Sequence, residues 1–179
     1  MIKKSLSHLS FDKTNNIILC DYDNEFIDLD NTKGALNRPQ SPNSPDMLYI
    51  DDKRKEIWFV EFKSSNHKSL NSWKEKSKLR KKLFSALFLV YEIFCDRSCD
   101  YRKYNKFYFI VYNKKKIENF EDEFLSLADE PTQRSIEFGL EDLKPQFVKD
   151  IFTEDCIELK KLFKKRFNID FIKEKNEQN

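Results

Sequence analysis

Glycine is almost missing from this chain: Gly34 and Gly139 are the only two among 179 residues. A phosphate-cradling P-loop or a dinucleotide fingerprint needs several closely spaced glycines, so nucleotide-dependent chemistry of those kinds is excluded. Histidine is equally scarce, with His8 and His67 alone, and the four cysteines (Cys20, Cys95, Cys99, Cys156) form no CxxC pair. A structural zinc site lacks its usual donors, and reduced, partly buried thiols are expected instead. No apolar run approaches the roughly 18 residues of a membrane span, and no apolar signal-peptide core is present at the start. These absences predict a cytoplasmic protein with no membrane partner. Length favours one domain over residues 1–179, with 1–44 hard to assign and a polar, frayed tail over 172–179.

What is present is charge and aromatic bulk. The formal net charge of +2 hides a local asymmetry. Between Lys63 and Lys82 stand eight bases and one acid, Glu75. Asp21, Asp23, Glu25, Asp28 and Asp30 crowd one short stretch with no base among them. The basic run suits a phosphate backbone, and Lys68, Lys74, Lys78, Arg80 and Lys81 are its candidate nucleic-acid contacts, set against the plainer role of a solvated helix face. The acidic run reads as a solvated loop, or as the source of one metal ligand.

Strand period organises the middle of the chain. In Glu56 to Lys63 successive side chains alternate faces, so Ile57, Phe59, Glu61 and Lys63 share one side and Trp58, Val60 and Phe62 the other. Both faces are apolar until the end, as in an interior strand, which leaves a carboxylate and an ammonium at its edge to be explained. Asp46 to Ile50 is also strand-like, and the polar residues 51–55 make a turn of hairpin length. An antiparallel return brings Asp46 back towards Glu61 and Lys63. The prolines at 39, 42 and 45 mark an irregular loop delivering Asp46.

The remaining elements follow from caps and periodicity. Ser72 with Glu75 three residues on has the form of a capping box, opening a helix to about Cys95 with a basic entry and a buried body from Leu83 to Phe94. Lys106 to Tyr112 reads as a strand buried on both faces. Ile117, Phe120, Phe124 and Leu125 recur at helical spacing. Arg134 to Phe138 and Gln146 to Phe152 are expected strands, and Thr153 is expected to cap a final helix ending in Lys164, Lys165 and Arg166. Nearer the start, Ser5 to Phe11 suits a short helix, Ile17 to Cys20 a strand, and Tyr22 to Leu29 a strand or extended loop. Trp58 and most phenylalanines belong to apolar runs and read as core; Trp73, at the basic helix entrance, either meets a nucleotide or closes the helix onto the sheet.

Pro45-Asp46 before one strand and Glu61-Phe62-Lys63 ending the next resemble the PD-(D/E)xK nuclease superfamily. The resemblance covers residues 45 to 63 firmly and the following helix and strand loosely. It implies an α/β fold, a mixed β-sheet flanked by helices with a restriction-endonuclease-like core. It also implies hydrolysis of nucleic-acid phosphodiesters with Mg²⁺ or Mn²⁺, DNA favoured over RNA. Asp46 and Glu61 would hold the ion, with the Phe62 backbone carbonyl as a further ligand, and Lys63 would orient water or stabilise charge on the phosphoryl group. The family often adds an acid from an N-terminal helix. Ser5 to Phe11 carries none, so Glu25 is taken as the substitute, with Asp21 and Asp23 close behind; His8 is left as a surface or core residue. Little chain remains for a separate base-reading domain, which points to structure-dependent cleavage, weak sequence preference or a guiding protein partner; a homodimer would help cut two strands. The competing expectation is a non-cleaving nucleic-acid-binding or protein-interaction module of the same fold.

Overall fold

The computed structural model describes residues 1–34, 43–64, 72–96, 100–113 and 139–173. Its centre is a six-stranded mixed sheet with helices packed against it. The strands are β1 (Lys3–Ser5), β4 (Glu25–Asp28), β5 (Met47–Asp51), β6 (Glu56–Lys63), β7 (Asn105–Tyr112) and β8 (Asp150–Glu154), side by side in that order. The strands from β1 to β6 pair antiparallel, while β6 with β7 and β7 with β8 pair parallel. A separate small hairpin joins β2 (Phe11–Asp12) to β3 (Ile17–Ile18). Three of the helices are α1 (Leu6–Leu9), α2 (Leu29–Gly34) and α4 (Cys156–Phe167). The fourth, α3 (Trp73–Asp96), lies between β6 and β7 in the chain, as a parallel pair requires of its crossover.

The alternation read from the sequence divides the core as expected. Ile57, Phe59, Tyr108 and Ile110 point to the face covered by Leu79, Leu83, Ala86 and Val90 of α3. Trp58, Val60, Phe107 and Phe109 point to the opposite face, under Leu159 and Phe163 of α4. Both central strands are buried on both sides because each layer of the sheet is roofed by a helix. α4 is tied down by Arg166, whose Nε and Nη2 donate to the Glu56 carboxylate at 2.8 and 2.6 Å. The Trp58 indole N–H reaches the same carboxylate at 3.0 Å. Burial works against the Glu56 charge, but these donors outweigh it and hold the carboxyl below its ordinary range.

Several expected elements are shifted. Ser72 does cap α3, its hydroxyl accepting from the Glu75 N–H at 3.3 Å, but the helix body is not buried all round. Phe84, Phe88 and Tyr91 are 41%, 54% and 49% exposed, on the same stripe as Lys74, Lys78 and Lys81. Trp73 is 83% exposed, so it does not close the helix onto the sheet. The last strand begins at Asp150 rather than Gln146, and Asp155 rather than Thr153 caps α4, accepting from the Glu158 N–H at 3.0 Å. Thr153 is instead a buried strand residue. The tail is anchored at its start: Ile172 accepts from the Asp23 N–H and donates to Asn24 Oδ1, each at 2.9 Å. Cys20 and Cys156 form a disulfide, against the expectation of reduced thiols, because the end of the small hairpin segment packs on the first turn of α4. The expected helix around Phe120 and strand from Arg134 lie outside the described residues. Among those described, no helix is long and apolar enough to cross a membrane.

Candidate active site

The pairing of β5 with β6 sets Met47 against Val60 and Leu48 against Phe59. Continuing that register by one residue puts Asp46 opposite Glu61, on the sheet face that α3 covers. Asp46 is fixed by its own hairpin: Oδ2 accepts the Phe62 N–H at 2.7 Å, leaving Oδ1 turned to the site. Glu61 is 1% exposed. Lys63, two residues on, reaches Glu61 Oε1 at 3.1 Å and Glu75 Oε2 at 3.3 Å.

A residue the sequence reading left out completes the group. Lys82 of α3 sets its ammonium 2.7 Å from both Glu61 oxygens and 3.6 Å from Asp46 Oδ1. Glu75, Lys78 and Lys82 stand at helical spacing on one side of α3, and that spacing was the available signal. Burial and the Glu61 charge push Asp46 up to about 8 against the opposing pull of Lys82 and the Phe62 N–H. For Lys82, burial favours the neutral amine, yet Glu61 and Asp46 outweigh it and hold the group firmly protonated. The same balance, with Glu61 and Glu75 as partners, raises Lys63 above an ordinary lysine. Deeper in the core, burial and then the charges of Glu61 and Asp46 raise the Tyr108 phenol. Its hydroxyl is buried and has no hydrogen-bond partner among the described residues.

The other expected site residues fall apart from this group. Glu25 is exposed, and extending the β4–β5 register sets it against Ile50, at the far end of the hairpin from Asp46. It lines a different hollow, with Lys3 and Asp52, so it does not meet the pair. Within the acidic run, the residue whose charge does bear on the site is Asp30 of α2, which adds to the upward pressure on Asp46 and on Lys82. Its Oδ1 accepts from the Ser44 hydroxyl at 2.7 Å. His8 is exposed on α1. Arg80 binds the Asp142 carboxylate and the Gly139 carbonyl, tying them to α3. Lys78 pairs with Glu75, Lys74 and Lys81 are exposed, and Lys68 lies outside the described residues.

A polar hollow of about 290 Å³ opens over the group, lined by Asp46, Glu61, Phe62, Lys63 and Lys82 on the sheet and helix side. Among the described residues no set of three or more Asp, Glu, His or Cys side chains is arranged to hold a metal. Two converging carboxylates nonetheless suit Mg²⁺ or Mn²⁺, which bind through one or two carboxylates together with substrate phosphate and water. Both acids already direct oxygens at a single positive charge, that of Lys82. No family model, curated protein or solved structure matches the chain.

Proposed function

We propose that the protein is a metal-dependent nuclease that hydrolyses phosphodiester bonds of nucleic acid, DNA before RNA, on a restriction-endonuclease-like core. The observation that carries this reading is the convergence of Asp46 and Glu61 on one cationic position, with Lys63 beside them at the mouth of a polar hollow. The order of a hairpin ending in Glu-Phe-Lys, a helix and a parallel strand, which the PD-(D/E)xK resemblance implies, supports it.

In this reading Asp46 and Glu61 would hold Mg²⁺ or Mn²⁺, with the Phe62 carbonyl as a further donor. The ion would draw charge from the phosphoryl oxygens and ease ionisation of the attacking water. Lys63 stays an ammonium, because Glu61 and Glu75 favour its charged form over the pull of burial. It therefore acts by stabilising negative charge as the phosphoryl group is attacked, not as a general base. Glu75 positions Lys63 through the 3.3 Å contact. Lys82 offsets the Glu61 charge at 2.7 Å and stands 3.6 Å from Asp46, at the position the ion would take.

A second reading rests on that same lysine. An internal ammonium that already satisfies Glu61 and Asp46 is what a non-cleaving nucleic-acid-binding or protein-interaction module would keep. Purified protein incubated with labelled linear, nicked, branched and single-stranded DNA, and with RNA, in Mg²⁺, Mn²⁺ or EDTA separates the two. The nuclease gives metal-dependent products that vanish in folded Glu61→Ala and Lys63→Ala variants. Binding without products in any metal supports the module, and products that persist in both variants overturn the proposed site.

A further inference from the structure

Part of the hollow's lining comes from the small β2–β3 hairpin, through Phe11, Asp12 and Lys13. Side-chain hydrogen bonds tie this hairpin to the end of β6. Ser64, the residue after Lys63, donates its hydroxyl to Asp12 Oδ2, and the Asn15 side-chain amide bridges Asp12 Oδ2 at 2.7 Å and Ser64 Oγ at 3.1 Å. Asp12 Oδ1 accepts the Thr14 and Asn15 N–H groups at 2.8 and 3.2 Å, closing the turn. At the base, Ser10 Oγ accepts from the Cys20 N–H at 3.0 Å. A two-residue-per-strand hairpin is marginal by itself, so these contacts are what fix it against the end of β6.

The charges around the hollow are not equivalent. Lys63 and Lys82 are paired with Glu61, Glu75 and Asp46, and the Asp12 carboxylate is engaged by the donors of its own turn. Lys13 lines the same hollow, is exposed, and makes no ion pair or hydrogen bond among the described residues. It is thus the cation of this rim that no carboxylate pairs among the described residues, and Phe11 beside it is 39% exposed.

We infer that the β2–β3 hairpin is a substrate wall and that Lys13 binds a backbone phosphate neighbouring the one at Asp46 and Glu61. The ligand chemistry is a polyanionic phosphodiester strand lying in the hollow, met at one phosphate by the divalent cation that Asp46 and Glu61 would hold and at another by Lys13. The Asp12–Ser64–Asn15 contacts set the register between the two, since they join the hairpin to the residue next to Lys63. This rests on the nuclease reading for the identity of the strand.

Binding, not cleavage, provides the test. Affinity for a fluorescein-labelled, cleavage-resistant phosphorothioate duplex is measured by anisotropy in magnesium across a KCl series, for the intact chain and for Lys13→Ala, Lys13→Arg and Lys53→Ala. Lys53 is an exposed lysine of the β5–β6 turn, outside the hollow, and controls for general charge. Loss of one phosphate contact lowers the slope of log affinity against log salt by about 0.7 to 0.9. The inference expects that drop and a several-fold loss of affinity in Lys13→Ala, recovery in Lys13→Arg, and neither effect in Lys53→Ala. If the intact chain binds and Lys13→Ala behaves like Lys53→Ala, the inference is wrong while the nuclease reading stands. If the intact chain binds no nucleic acid, both fall.

Discussion

Replacing Lys82 by Met removes the ammonium between the two acids and keeps most of the aliphatic stem that packs along α3. Glu61 is nearly inaccessible and loses a partner at 2.7 Å to both oxygens; Asp46 loses one at 3.6 Å. Removing one member of a buried ion pair costs about 3–5 kcal/mol. Here the Lys82 side chain is 19% exposed and Lys63 remains 3.1 Å from Glu61, so the cost is reduced. We expect about 2–3 kcal/mol, which for a domain of this size corresponds to a Tm lower by roughly 5–10 °C. Differential scanning fluorimetry in EDTA measures it. Manganese should then rescue the variant more than it stabilises the intact chain, because no lysine competes for the acids; at 100-fold over Kd the gain is about 2.7 kcal/mol. A Lys82→Met protein that melts with the parent in EDTA, or that gains nothing from manganese, refutes the idea that these acids form a cation site.

Glu56→Gln should lose about 2 kcal/mol by weakening the charged hydrogen bonds that tie α4 to the sheet, read by urea titration; an unchanged midpoint contradicts it. Because the folded Glu56 carboxyl sits below its ordinary range, its contribution is complete above the unfolded value of about 4.3 and disappears as pH falls through the folded value. The parent should therefore lose stability below that pH faster than Glu56→Gln, and parallel acid limbs would argue against the assignment. Tyr108→Phe deletes a buried hydroxyl with no partner and should be neutral or stabilising by about 1 kcal/mol; a clear loss of Tm would reveal a bond to that oxygen. The Cys20–Cys156 link closes a sequence separation of 136 residues. By chain entropy it contributes up to about 5 kcal/mol, so reductant should lower the Tm, and peptide mapping without reductant should recover the linked pair and not free thiols.

The parts that were legible in the sequence are those governed by local period. The two-faced burial of Glu56–Lys63 and Asn105–Tyr112, and the opposition of Asp46 to Glu61, follow from alternation and a turn of fixed length. Lys82 escaped because its role depends on how α3 is rotated against the sheet, which places one lysine of a basic run inward and leaves Lys78 and Lys81 at the rim or outside. The contacts of Arg80 were hidden for the same reason: its partners, Gly139 and Asp142, are far away in sequence. Glu25 failed because its strand register, not its arm length, decides which end of the sheet it occupies. Asp155 replaced Thr153 as the cap because pairing with β7 extends the strand to Glu154. The Cys20–Cys156 contact is a purely tertiary consequence of docking α4 beside the small hairpin.

The account depends on Asp46 and Glu61 sharing one cation. Crystals soaked in manganese and measured at its absorption edge should show an anomalous peak between these two carboxylates, with the Lys82 ammonium displaced. Diffraction with no peak there, and Lys82 still bridging the acids at saturating manganese, would contradict it.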